Sequence, residues 1–398
     1  MSRGRLETVY TPRTAILIVV ALFVLQIAVA RMLWLTNDEV VFWALSREWQ
    51  WHYAGQAPLA FWLSRISTEV FGNNLLGLRM PSLVCFGIVS LGSLRLILKM
   101  GWSIGACTTA LLFTVTPLFF FDGLLAGPEM PLAAAWIVLM NLSYDRRRPF
   151  MFGVASAIAL LIHPAAAFGI IPGLTRFANY RHALVLTSLV ITATFFLWRE
   201  PIVTDYAMAA VLCGPGVVCS LLLLTRERGQ LKFLKLWMFS GLFALCFDPT
   251  IAIVAGIPAL IYFAKLSASS ARPRLVRFSL ISGIALTVIG ILVLSEQDAG
   301  WRRLNHHLTN LPPPANSLPI VAQNDVLAAH VKFARSKTPV YSIDAKPTLP
   351  ESYLLLSHQS SKQNQTCETY SMLAKLRFAY CRHINSAQRA IAAEPSTQ

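Results

Sequence analysis

The strongest constraint on this chain is the recurrence of apolar runs about as long as a bilayer is thick. The first, Thr14 to Leu35, covers the roughly 20 residues an α-helix needs to cross the hydrocarbon. Further candidates lie at 79–98, 102–121, 130–144, 150–163, 165–175, 183–198, 206–224, 233–247, 250–264 and 276–294, about eleven in all. Within hydrocarbon every backbone N–H and C=O must find a partner in protein, so such runs fold as helices. Only 13% of the residues are charged and 55% are hydrophobic, whereas a soluble domain is about 25% charged. This excludes an ordinary cytosolic enzyme, a disordered protein and a disulfide-rich secreted domain. The net charge of +15 does not signal nucleic acid, because the basic residues sit in short clusters between apolar runs.

Those clusters give an orientation. With the N-terminus cytoplasmic and the first run retained as a helix, the loops on the cytoplasmic side hold seventeen Lys and Arg residues. The short loops on the other side hold only Arg199. The runs meeting at His163-Pro164 and at Asp248-Pro249 are short, and are expected to form hairpins whose tips line a cavity or are buried. From Glu296 the chain turns polar, with Pro312-Pro313-Pro314 as a stiff spacer. Strand-like runs at 319–322, 339–343 and 353–356 alternate there with helical stretches at 324–335 and 370–378. The expected organisation is a transmembrane domain over 1–295 and a small α/β extracytoplasmic domain over 296–398. Cys85, Cys107, Cys213, Cys219 and Cys246 fall in apolar spans. Only Cys367 and Cys381 lie in the outer domain, where an oxidising compartment favours a disulfide.

The first outer loop, 36–78, carries the most chemistry. It opens Thr36-Asn37-Asp38-Glu39 and continues as an aromatic helix from Val40 to Tyr53. A second helix follows Pro58, with Leu59, Trp62, Leu63, Ile66 and Val70 at helical spacing and Arg65 and Glu69 paired four residues apart. Both are expected to be amphipathic and to lie in the membrane interface, bordering a lipid-accessible site or merely covering the bundle. The tryptophans Trp34, Trp43, Trp49 and Trp51 read most simply as interface anchors. Acids at the edge of hydrocarbon are costly and therefore functional candidates. Asp38 and Glu39 are two of them, with helix capping as the competing reading for one. Glu129, in Gly127-Pro128-Glu129-Met130-Pro131-Leu132 of the next outer loop, is the third, and Asp122 lies nearby. Carboxylates on one side of a membrane make general-base chemistry feasible.

The ordered set Asp38-Glu39, Trp51, Tyr53, Pro58-Leu59, Trp62, Phe71-Gly72, Leu78-Arg79, Pro81 and Pro128-Glu129-Met130-Pro131-Leu132 resembles bacterial membrane glycosyltransferases of the GT-C superfamily. The likeness is to the aminoarabinose-transferase and protein O-mannosyltransferase-like group, and it runs over about residues 10–175. This chain departs from the group with Gln56-Ala57-Pro58-Leu59 where His-Pro-Pro-Leu is frequent, with Glu129 for Asp, and with His163 for a common Lys. The resemblance implies an inverting transfer of sugar from a polyprenyl phosphate, at the periplasmic face of a bacterial inner membrane. The acceptor is a hydroxyl of lipid A, a cell-envelope glycan, another lipid or protein. Asp38 is then the base and Glu129 the second catalytic carboxylate. Arg79, His163 and Arg65 are cations for the phosphate, and Glu39, Tyr53 and Gln56 are further substrate contacts. No ligand spacing demands a metal or other cofactor, although a divalent cation between Asp38, Glu129 and phosphate is compatible with the residues. The competing readings are a transporter or flippase for a lipid-linked intermediate, and a silent scaffold of the same fold. The enzymatic reading expects Asp38 and Glu129 to face one lipid-accessible hollow.

Overall fold

The computed structural model describes residues 12–51, 53, 57–174, 176–177, 231–245, 252–268, 273–310, 318–322, 325–334, 339–342, 352–358, 367–373 and 376–382. Two compact units emerge, one from Met1–Leu33 with Leu45–Val293, the other from Trp34–Ala44 with Leu294–Gln398. The helices are α1 (Pro12–Met32), α2 (Asn37–Leu45), α3 (Leu59–Phe71), α4 (Leu75–Lys99), α5 (Ile104–Phe113), α6 (Pro117–Leu124) and α7 (Glu129–Asp145). They continue with α8 (Pro149–Ile162), α9 (Ala166–Leu174), α10 (Lys232–Leu245), α11 (Ala252–Ala268), α12 (Pro273–Thr309) and α13 (Asp325–Ala334).

Among the described residues three helices are long and apolar enough to cross a membrane, namely α1, α4 and the 274–295 part of α12. A fourth span results if the bent pair α5–α6 is counted as one. The expected spans at 183–198 and 206–224, the tip at Asp248-Pro249, Pro312 to Pro314, and Cys213, Cys219 and Cys246 lie outside the described residues.

The single span expected at 102–121 is broken. α5 and α6 meet at 68°. Pro117 has no N–H and its ring would strike the carbonyl of Phe113, so the helix stops at Thr114 and restarts with the proline in its first turn. A break in an apolar setting needs its backbone satisfied. The Thr287 hydroxyl of α12 donates to the carbonyl of Val115 at 2.6 Å. Gly283 and Gly290, on the same face of α12, let it approach so closely that a Cβ would strike Thr116 and Phe121. Pro81 inside α4 poses the same problem, since it leaves the carbonyl of Gly77 without its helical donor. The Ser67 hydroxyl of α3 donates to that carbonyl at 2.6 Å.

The core of the first unit centres on Trp136 of α7, which meets Trp237 of α10 edge-on at 5.6 Å. Gly169 of α9 admits it, because a Cβ there would lie 2.7 Å from the indole. α7 is tied to α4 by the Asn141 amide donating to Gly92 O at 3.0 Å, and by Lys99 against Asp145. α8 and α9 are separate helices on either side of His163-Pro164. The helix expected over 40–53 ends at Leu45. Beyond it Tyr53 draws the chain into a turn, its hydroxyl donating to Glu48 O at 2.5 Å and accepting from Gln50 N at 2.9 Å.

In the second unit, β1 (Ile320–Ala322), β2 (Val340–Ser342), β3 (Ser352–His358), β4 (Cys367–Leu373) and β5 (Leu376–Arg382) form one sheet in the order β2-β1-β3-β5-β4. β1 is parallel to β2 and β3, while β5 is antiparallel to β3 and β4. Ile320, Ala322, Leu327, Val331 and Leu356 bury a small core with Leu304 and Leu308 of α12. The helix expected over 370–378 is instead the β4–β5 hairpin. Met, Leu, Ala and Lys favour a helix locally, but pairing along β3 and the β-forming Thr369, Tyr370, Phe378 and Tyr380 decide the outcome.

Removing either buried hydroxyl, by Ser67→Ala or Thr287→Val, strands a backbone carbonyl. Each is expected to cost roughly 1–3 kcal/mol, read as a lower Tm in detergent. The backbone register pairs Cys367 with Cys381, the two cysteines for which an oxidising compartment favours a disulfide. Peptide mapping without reduction is expected to return the two cysteine peptides linked.

Candidate functional site

The acid pair resolves into two different roles. Thr36 precedes α2 as its N-cap, with Val40 N donating to Thr36 O at 3.1 Å. Glu39 N donates to Thr36 Oγ1 at 3.2 Å, and Thr36 N donates to Glu39 Oε2 at 3.0 Å. This reciprocal arrangement is a capping box, and the spacing Thr36-x-x-Glu39 encodes it. Glu39 is buried by it, at 1% exposure. Asp38, one residue earlier in the first turn, is exposed. The positive end of the helix dipole faces it, and its carboxylate is open to accept a proton from an incoming hydroxyl.

Glu129 opens α7 in the first unit, so the two catalytic candidates fall in different compact units. Its carboxylate folds back over Gly127 so closely that a Cβ there would collide with it. Asp122 is near enough for its charge to interact with that of Glu129.

Arg79 is fully buried in α4, and its Nη1 donates to Ala30 O at 2.7 Å and Leu33 O at 2.8 Å. These carbonyls belong to the last turn of α1 and the residue just beyond it. A guanidinium there satisfies orphan carbonyls and the negative end of the helix dipole. Arg79 therefore fixes where the chain leaves α1, three residues before Thr36.

The other expected contacts are held mainly by their own loops. Tyr53 is buried, with its hydroxyl engaged as above and its ring stacked on Phe61 at 4.3 Å. His163 caps the C-terminus of α8, and its Nδ1 accepts from Ala165 N at 3.2 Å. Arg65 pairs with Glu69 at 2.9 Å as expected, lies over Trp49 at 4.9 Å, and donates from Nη1 to Arg47 O at 2.5 Å. Gln56 lies outside the described residues.

Three further groups join these without a motif to mark them. Arg47 donates to Thr68 Oγ1 at 2.7 Å, and burial, then the charge of Arg65, pull its pKa below the usual guanidinium value. Its place is unreadable as long as 40–53 looks like one helix. Phe333 of α13 meets Trp34 and Trp43 edge-on at 6.0 and 5.2 Å. These two tryptophans are thus packed inside the second unit, whereas Trp49 and Trp51 are exposed. His330 of α13 bonds Asn37. No local signal marks Phe333 or His330.

A family model described as dolichyl-phosphate-mannose-protein mannosyltransferase matches residues 55–198. Two crystal structures of ArnT from Cupriavidus metallidurans share the fold. The apo structure matches with a TM-score of 0.64 at 13% identity, covering 92% of this chain and 97% of that one. The structure bound to undecaprenyl phosphate matches with a TM-score of 0.63 at 11% identity, covering 93% and 98%. No curated protein matches in sequence. The chain thus shares the fold of these two ArnT structures.

Arg79→Met leaves the Ala30 and Leu33 carbonyls without this donor. It is expected to cost about 2–4 kcal/mol for two buried acceptors, measured by thermal melting, with Arg79→Lys recovering part. Gly127→Ala is expected to displace the Glu129 carboxylate while Tm changes little.

Proposed function

We propose that this protein is an inverting glycosyltransferase of a bacterial inner membrane, with its N-terminus cytoplasmic and its C-terminal residues periplasmic. It moves a sugar from a polyprenyl phosphate to an acceptor hydroxyl on lipid A, an envelope glycan or a protein. The observation that carries the reading is the exposed Asp38 carboxylate at the start of α2, freed because Glu39 performs the capping. The GT-C fold supports it, as does the undecaprenyl phosphate bound to ArnT in one structure of that fold.

In this mechanism Asp38 accepts the proton of the acceptor hydroxyl. The hydroxyl oxygen forms a bond to the anomeric carbon from the face opposite the phosphate. The bond between that carbon and the phosphate oxygen breaks, and the polyprenyl phosphate leaves with its electron pair. Positive charge grows on the sugar while negative charge grows on the phosphate, so carboxylates and cations on opposite sides both stabilise the transition state. Glu129 is the second carboxylate. Arg65, with 24% of its side chain exposed beside Glu69, is a cation for the phosphate. Arg79 and His163 add buried polarity and hold the helix ends, Glu39 and Tyr53 hold the backbone beside the substrates, and Gln56 is a further substrate contact.

The test is release of free polyprenyl phosphate by the purified protein, given undecaprenyl-phosphate sugar and an envelope-lipid acceptor mixture. Asp38→Asn is expected to lower the rate by about 10²–10⁴-fold, the usual worth of a general base. Transfer at the wild-type rate contradicts the assignment.

A further inference from the structure

The compact unit that holds the C-terminal sheet also holds residues 34–44, the segment that bears the acid pair. Its internal contacts are specific. His330 Nε2 lies 3.1 Å from Asn37 Oδ1, next in sequence to Asp38. The imidazole is buried and stacked on Trp301, with ring centroids 3.5 Å apart. Burial lowers its pKa to about 3, so the ring is neutral and donates its Nε2 proton to the amide oxygen. Its Nδ1 is buried with no hydrogen-bond partner among the described residues. A packing residue would not need such a group here, whereas a donor aimed at Asn37 does. One turn along α13, Phe333 fills the space between Trp34 and Trp43, which bracket Asp38 in sequence.

We infer that α13 is a positioning element for the carboxylate helix, with His330 acting through Asn37, and Phe333 through Trp34 and Trp43, to fix the direction in which Asp38 is presented. This rests on the reading of Asp38 as the base. The C-terminal residues then serve catalysis without touching substrate. A misplacement of about 1 Å in a reacting group costs on the order of 10²-fold in rate, so kcat is where the loss of this contact registers.

The experiment uses the full chain in detergent, with two readouts on His330→Ala, Phe333→Ala and His330→Gln. The first is hydrogen exchange of the α2 amides. The second is the split between kcat and donor KM for release of polyprenyl phosphate. For His330→Ala and Phe333→Ala, at least tenfold faster exchange in α2 is expected. A kcat lowered about 10- to 100-fold is expected with donor KM within twofold. His330→Gln, which keeps an N–H toward Asn37, is expected to recover most of both. Unchanged α2 exchange, or a loss confined to KM, overturns the inference, as does His330→Gln behaving like His330→Ala. If α2 exchange rises but Asp38→Asn transfers at the wild-type rate, the general-base reading fails and takes the catalytic part of the inference with it, leaving only a structural contact. If Asp38→Asn is inactive and kcat is unchanged in both alanine variants, the inference alone fails.

Discussion

The capping box at Thr36 and Glu39 is the interaction on which the candidate site depends. A helix that begins where a chain leaves a membrane has N–H groups without partners, and something must satisfy them. Here the second acid of an adjacent pair turns back to do so and is buried. The first remains at the surface, against the positive end of the helix dipole. The same pair without Thr36 would compete for the cap. Within the first unit Arg79 meets the same need at the end of α1, where it binds the carbonyls of Ala30 and Leu33. Backbone satisfaction at the start of α2 thus separates the roles of its two acids.

The rest of the first unit follows the same rule. Prolines interrupt the ladders of α4 and of the α5–α6 pair, and each time a hydroxyl from a neighbouring helix reaches a carbonyl at the interruption. Glycines on α9 and α12 allow the close approaches that Trp136 and the helix break require. In hydrocarbon an unpartnered carbonyl has no water to turn to, so these small residues matter more than their size suggests.

Much of this is legible in the chain. Apolar length locates α1, α4 and the membrane part of α12, and helical spacing gives α3 with its Arg65–Glu69 pair. The strands at 320–322 and 340–342 and the helix α13 follow from short-range pattern. Pattern fails where a distant partner decides. The β4–β5 hairpin reads as helix until β3 offers an edge to pair with. The 102–121 run reads as one span until Pro117 is weighed against residues on α12. Asp38 and Glu39 stand out in the sequence as a pair, and only the hydrogen bonds to Thr36 separate their roles. His330 and Phe333 lie nearly 300 residues from the segment they touch, as the separation of 293 between His330 and Asn37 shows. No periodicity reports a contact of that kind.

The proposed transfer is a single displacement in which one carboxylate activates the acceptor and none bonds to the sugar. The anomeric configuration of the transferred sugar, compared by NMR with that of the polyprenyl-phosphate donor, tests it most directly. Inversion is expected. Retention would require two displacements through a covalent glycosyl intermediate, and would contradict the role given to Asp38.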